Sequence, residues 1–318
     1  MTKDLDCVVC GSCVVDVLVR PVPLHAVIEP GQLVLTEPLE LATGGIVSNA
    51  GAVMARMGLR VAACTYVGDD FWAEYLRRRY PQLGIDAEYL ITLPDEGTST
   101  SAVLVDSHGE RSFLHAVGAP RRMDKQMFLE RLPLFARSRA MLLGYYPLLP
   151  NLLPDLPEVL AALQGAGCLT ALDAAGDGGD LEPLRPSLPY LDLYVPSWQE
   201  ARRQTGCDDP QAIVAAYRAA GARGIVGVKL GRRGALLSSA DGRLTPVAAV
   251  APPGPVVDST GAGDSFLGGL LTGLLRGMSL EDAGRLAAAA GACCVTGLGA
   301  SAGIRDFSET ARLAGIGV

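Results

Sequence analysis

From Asp6 to Val19 the chain is a nearly unbroken β-prone apolar run, the pattern of a strand buried on both faces of a parallel sheet. The segment Val14 to Leu41 carries four prolines and short alternating runs such as Gln32 to Leu35, which predicts peripheral edge strands and turns. Ser48 to Met57 follows as an Ala-rich helix ended by Gly58, and Val61 to Val67 is a second buried strand closed by Gly68-Asp69-Asp70. Ser99 to Asp106 and Arg111 to Val117 flank a polar connection containing Gly109, which predicts a hairpin paired with the first peripheral segment. From about Pro120, short apolar runs at Ala140–Leu143, Cys168–Asp173, Leu191–Val195, Gly224–Lys229 and Ala235–Ser238 alternate with helical stretches. Alternation of β and α predicts an α/β doubly wound sheet with helices on both faces. No internal repeat, heptad pattern or linker divides the chain, so residues 1–318 read as one unit.

Composition narrows the partners. With 49% hydrophobic and 19% charged residues the chain is globular, and Lys+Arg 27 against Asp+Glu 34 gives a net charge of −7. That balance predicts no nucleic-acid or anionic-membrane partner, so any anionic ligand must be held locally. Acidic residues precede the first apolar run, the wrong order for a secretory signal, and eight Cys are too dilute for a disulfide scaffold. The expected compartment is the cytoplasm. Leu286 to Ile304 lacks charge but is Ala/Gly-rich, which predicts a buried helix running into a glycine loop.

Several chemistries lack material. In Cys7-x-x-Cys10-x-x-Cys13 strand alternation puts Cys10 on the opposite face, so these read as buried small hydrophobes, as does Cys293-Cys294. The three histidines, His25, His108 and His115, lie in or beside the peripheral strands. No Gly-Lys dipeptide supplies a Walker A loop, and no Gly-x-Gly-x-x-Gly follows the first strand.

The sharpest feature is Val257-Asp258-Ser259-Thr260-Gly261-Ala262-Gly263-Asp264-Ser265-Phe266 opening a helical run to Arg276. Small residues let backbone approach a ligand, and amides at a helix N-terminus aim at an anion such as phosphate. An Asp inside such a cradle suits a base that takes the proton of an attacking hydroxyl, which makes Asp264 the candidate. An ordinary helix cap is the alternative.

This segment resembles the Asp-Thr-x-Gly-Ala-Gly-Asp signature of the ribokinase-like (PfkB) family of carbohydrate and nucleoside kinases. Gly11-Ser12 with Asp16, Gly44-Gly45 with Asn49, Gly58, Gly68-Asp69-Asp70, Lys229-Leu230-Gly231-Arg232-Arg233-Gly234 and Gly299-Ala300 resemble further elements of the family in the same order. The resemblance implies a three-layer α/β/α fold with a mostly parallel central sheet and a small β-sheet lid from about 14–41 and 98–118. It implies ATP-dependent phosphorylation of a hydroxyl of a sugar or sugar acid. Asp264 would be the base and the Gly261, Ala262 and Gly263 amides the anion hole. Asp16, Gly44, Gly45 and Asn49 would hold the sugar, with Arg111 reaching in from the lid; an exposed hairpin arginine is the plain alternative.

The same resemblance implies nucleotide contacts from Ser197, Lys229, Gly231, Gly234 and Ala288, and Mg²⁺ held through water by Glu200. Lys229 stands where the family usually has Thr; it would add charge beside the phosphates or be a solvated strand-end lysine. Asp258, Thr260, Cys294, Gly297, Gly299 and Gly303 fall where members bind a monovalent cation, expected to be K⁺. Met141 to Tyr146 lacks the acid that ribokinases carry there, which argues against strict ribose specificity. Open lid edges suggest a homodimer through the lid. A nucleoside kinase, using Tyr145, Tyr146 or Phe113 as a base slot, and a non-catalytic sugar-binding relative remain alternatives.

Overall fold

The computed structural model describes residues 3–176 and 178–317. Its larger sheet holds nine strands among the described residues. These are β1 (Leu5–Gly11), β4 (Val61–Gly68), β5 (Ile85–Leu93), β8 (Ser138–Gly144), β9 (Leu169–Leu172), β10 (Leu193–Tyr194), β11 (Ile225–Lys229), β12 (Ala235–Ser238) and β13 (Leu244–Val247). Their spatial order is β13-β12-β11-β10-β9-β8-β1-β4-β5, parallel from β11 to β5 and antiparallel at the β11-β12-β13 edge. A smaller sheet, ordered β3-β2-β6-β7, is built from β2 (Val14–Val19), β3 (Glu40–Gly44), β6 (Thr100–Val105) and β7 (Arg111–Ala116).

Two apolar layers sandwich the large sheet. Cys7, Val9, Ile46, Leu76, Phe266, Leu270 and Ala287 share one, from helices Gly45–Arg56, Phe71–Gln82, Ala262–Leu275 and Leu280–Cys294. Val8, Cys10, Phe135, Leu160, Ile213 and Tyr217 share the other. Alternate β1 side chains enter opposite layers, and Cys10 parts from Cys7 and Cys13 as strand alternation requires. The three-layer expectation and the separate lid sheet therefore hold. Among the described residues no helix is long and apolar enough to cross a membrane, and the uncharged stretch from Leu286 is helix to Cys294 and then loop.

Three local expectations need correction. The run Asp6 to Val19 is two strands, because Gly11 adopts φ +108° and turns the chain out of the large sheet. A Cβ on Gly11 would lie 2.1 Å from Gly144 O, so only glycine makes that exit. Gln32 to Leu35 forms no strand: Leu33 and Leu35 are exposed, and the four prolines between Pro21 and Pro38 deny the segment regular pairing. The helix placed at Ser48 starts at Gly45, which puts Asn49 inside it, in its second turn. The β5 and β13 strands are additions.

Candidate active site

The parallel strands deliver their C-terminal ends to one edge, where Gly11, Gly144, Asp173 and Lys229 lie, the usual ligand side of such sheets. Helix Ala262–Leu275 begins over this edge. Its N-cap is Gly261 at φ +75°, and a Cβ there would strike the Ala300 side chain at 2.4 Å, so the tight turn excludes any larger residue. Asp264 is therefore not the cap. It sits in the first turn, buried, with Oδ2 accepting from Asn49 Nδ2 at 2.8 Å and from the Tyr145 hydroxyl at 2.9 Å. Burial raises its pKa, while Asn49, the Lys229 charge and Tyr145 act against that rise. Ala262 N–H turns back to Ser259 O at 3.3 Å; the Gly261 and Gly263 amides make no hydrogen bond among the described residues. Two donors of the expected anion hole are thus open, and the third is engaged within the loop.

Lys229, at the end of β11, is not solvated. Its Nζ lies 3.1 Å from Asp173 Oδ1 in a buried pair, and a Cβ on Gly263 would be 3.3 Å from the same ammonium. The charge therefore abuts the cradle. Burial disfavours the ammonium, but Asp173, Glu200 and Asp264 outweigh it and hold its pKa above the ordinary value. Burial pushes Asp173 up to about 7 despite the lysine. Neither Asp173 nor Tyr145, the one described non-glycine residue with positive φ, was anticipated as a partner of this cluster. A lysine at a buried strand end, one of three in the chain, was the usable signal that an acid must be near.

Across the cradle, Asp16 on β2 faces Gly44, whose Cβ would lie 2.2 Å from Asp16 Oδ2, so the Gly44-Gly45 pair lets the carboxylate close on the helix start. Burial lifts Asp16 to about 6, against a Ser101 hydrogen bond and the Arg111 charge. Asn49 Oδ1 is buried without a partner, a free acceptor beside Asp264. Arg111 is not an exposed hairpin residue: Nη1 reaches Asp258 Oδ2 at 2.6 Å and Thr260 Oγ1 at 2.7 Å, and Nε is buried without a partner. Asp16, Thr43, Arg111, Phe113, Thr260 and Ala300 line a cavity of only about 10 Å³, scarcely one water, so the lid is shut.

Ser197 and Glu200 form a capping box at helix Trp198–Thr205, Ser197 N–H donating to Glu200 Oε2 at 2.6 Å. Glu200 also acts electrostatically on Asp173, Asp264 and Lys229, so three carboxylates face one ammonium there. That excess of hard oxygen donors fits Mg²⁺. Among the described residues no cage of three acidic, His or Cys side chains forms, so phosphates and water would complete its shell. Gly231 and Gly234 close a turn through Leu230 N–H to Gly234 O at 2.7 Å, and Ala288 is partly buried on its helix. The expected cation residues are brought together: Gly299 N–H donates to Asp258 Oδ2, Cys294 Sγ lies 3.3 Å from Thr260 O, and Gly303 packs on Gly297 and Cys294.

A buried carboxylate in the first turn of a helix, open amides and a lysine beside them form an arrangement that suits phosphoryl transfer. The sequence profile of the pfkB family of carbohydrate kinases matches residues 4–306, and the chain belongs to that family. It is an ATP-dependent carbohydrate kinase. It is 28% identical to a ribokinase of Haemophilus influenzae over 89% of this chain and 90% of the relative. It is 27% identical to a nucleoside kinase of Methanothermobacter thermautotrophicus over 98% and 96%. Among solved structures, Arabidopsis thaliana ribokinase complexed with ribose and ATP covers both chains fully at TM-score 0.84 and 23% identity, a likeness of fold.

Proposed function

We propose that this kinase transfers the γ-phosphoryl group of ATP to a hydroxyl of a neutral sugar, with Asp264 as the base that takes the hydroxyl proton. The observation that carries the reading is the placement of Asp264 in the first turn of its helix, tied to Asn49 and Tyr145 and next to the open Gly261 and Gly263 amides. Those amides stabilise charge developing on the transferred group. Asn49 Oδ1, Asp16 and the Gly44-Gly45 turn receive the sugar hydroxyls. Lys229 supports the phosphates, and Gly231, Gly234 and Ala288 flank the nucleotide. Glu200 would hold Mg²⁺ through water, and the ion would supply charge neutralisation on the phosphates. Ser197 acts chiefly by holding Glu200.

A neutral acceptor is favoured over a sugar acid because the Arg111 charge is spent on Asp258 while Asp16 and Asp264 keep the pocket acidic. The shut cavity requires the lid to open for each sugar. The lid edges β3 and β7 expose Leu41 and Leu114, which a second copy of the chain would cover; light scattering tests that pairing. The decisive experiment measures ADP release with Mg-ATP across hexoses, pentoses, sugar acids and nucleosides. Turnover highest with a neutral sugar supports the reading, turnover highest with a sugar acid or nucleoside redirects the substrate, and no turnover with any compound overturns it.

A further inference from the structure

Asp258 opens the loop that ends in the Gly261–Gly263 cradle, and its side chain is only 1% exposed. A buried carboxylate beside a phosphate site needs compensating charge, because alone it would both lack solvation and repel the phosphates. Here the compensation is a side chain. Arg111, 10% exposed, places Nη1 2.6 Å from Asp258 Oδ2. Gly299 N–H donates to the same oxygen and Thr260 N–H to Oδ1 at 2.8 Å. The Thr260 and Ala300 carbonyls, at 3.3 and 3.5 Å, both face the Cys294 thiol. An alkali ion entering this cluster would meet a fixed guanidinium on the carboxylate it needs, so the residues do not fit K⁺ while the lid is shut.

We propose that Arg111 is the built-in cation of this kinase: carried on lid strand β7, it neutralises Asp258 in place of a monovalent ion, and only when the lid has closed. The proposal rests on the phosphotransfer reading above. With the lid open, Asp258 opposes the positive potential of the cradle; with the lid shut, that opposition is cancelled. The shut lid thereby completes the electrostatics of the phosphate site, and Arg111 acts as a positioning residue rather than on the reacting atoms.

The test compares turnover in potassium and tetramethylammonium buffers of equal ionic strength. The wild-type enzyme should show kcat values within about twofold of each other, and calorimetric titration with K⁺ should give no binding. Arg111→Met keeps the length and removes the charge, so kcat should fall about tenfold or more in tetramethylammonium with the KM for ATP little changed. Arg111→Lys should retain more turnover than Arg111→Met. K⁺ binding to the wild type, activation of the wild type several-fold by K⁺, unimpaired Arg111→Met, or equal loss in both variants overturns the proposal. If Arg111→Met does not fold, the wild-type measurements still decide. If no sugar supports turnover, the kinase reading fails while the K⁺ titration still decides this one.

Discussion

Two buried ion pairs flank the turn Gly261–Gly263, Lys229–Asp173 at the ends of core strands and Arg111–Asp258 beneath the lid. Lys229 hangs from β11 and Asp173 follows β9, strands locked in register by β10 between them. Arg111 hangs from β7, the outer strand of the lid, and reaches Asp258 across the gap between the two sheets. Similar chemistry at similar burial therefore has two different dependencies. One pair joins strands of one sheet, and the other joins the lid to the core. The lesson is that a buried salt bridge has to be judged by which rigid body carries each partner, not by distance alone.

The largest expected effect falls on Asp264, in the first helical turn after the loop that both pairs flank. Asp264→Asn keeps size and hydrogen bonding but takes no proton, so kcat should drop roughly 10² to 10⁴-fold with both substrates still binding, measured by steady-state kinetics and calorimetry. A variant with near-normal kcat would remove Asp264 as the base. Next comes Lys229→Met, which strips the permanent pair and should cost about 3–5 kcal/mol in denaturant unfolding. Because burial already lifts Asp173 to about 7 and loss of the lysine lifts it further, the protonated acid is tolerated below that pH. The destabilisation should therefore grow as pH is raised from 6 to 8. Arg111→Met should cost clearly less stability than Lys229→Met; equal costs would erase the contrast between the pairs.

On the sugar side, Asp16→Ala should weaken sugar binding by about 1–3 kcal/mol, since donors in a closed site lose their acceptor. Wild-type affinity should weaken as pH falls through about 6, where Asp16 gains a proton. A binding curve flat to pH 5 would contradict this assignment. The smallest effect belongs to Tyr145→Phe. It removes one hydrogen bond to Asp264 and should raise the barrier by about 1 kcal/mol. That hydrogen bond lowers the Asp264 pKa, so its loss should move the acidic limb of the kcat profile to higher pH.

The core strands were legible because each is a short apolar run between turn residues, as at Ala140–Leu143 and Ala235–Ser238. The hidden break in Asp6–Val19 follows from a backbone angle at Gly11, which no local apolar pattern records. Within the site, Asp264, Asn49 and Asp16 were legible from spaced motifs, and the structure brings them to one edge. Asp173 was not, because its reason for being there is Lys229, 56 residues away, and the Tyr145 sequence context points to a base slot and leaves no mark of its hydroxyl's partner. Arg111 was legible as a lid residue but not as the partner of Asp258, since pairing over that distance depends on how the two sheets meet.

The Gly11 turn has a practical consequence for anyone who would exchange lids between relatives to change acceptor preference. β1 of the core and β2 of the lid are separated only by Ser12 and Cys13, and β3 runs directly into helix Gly45–Arg56 at Gly44. The lid is thus not a cassette with two cut points. It is threaded through the chain, and a chimera would need splices near 12–13, 44, 98 and 117 that preserve the contact of Gly11 with Gly144. Single replacements on the inner lid face, such as Phe113 or Val103, are the gentler route, because they leave all four crossings intact.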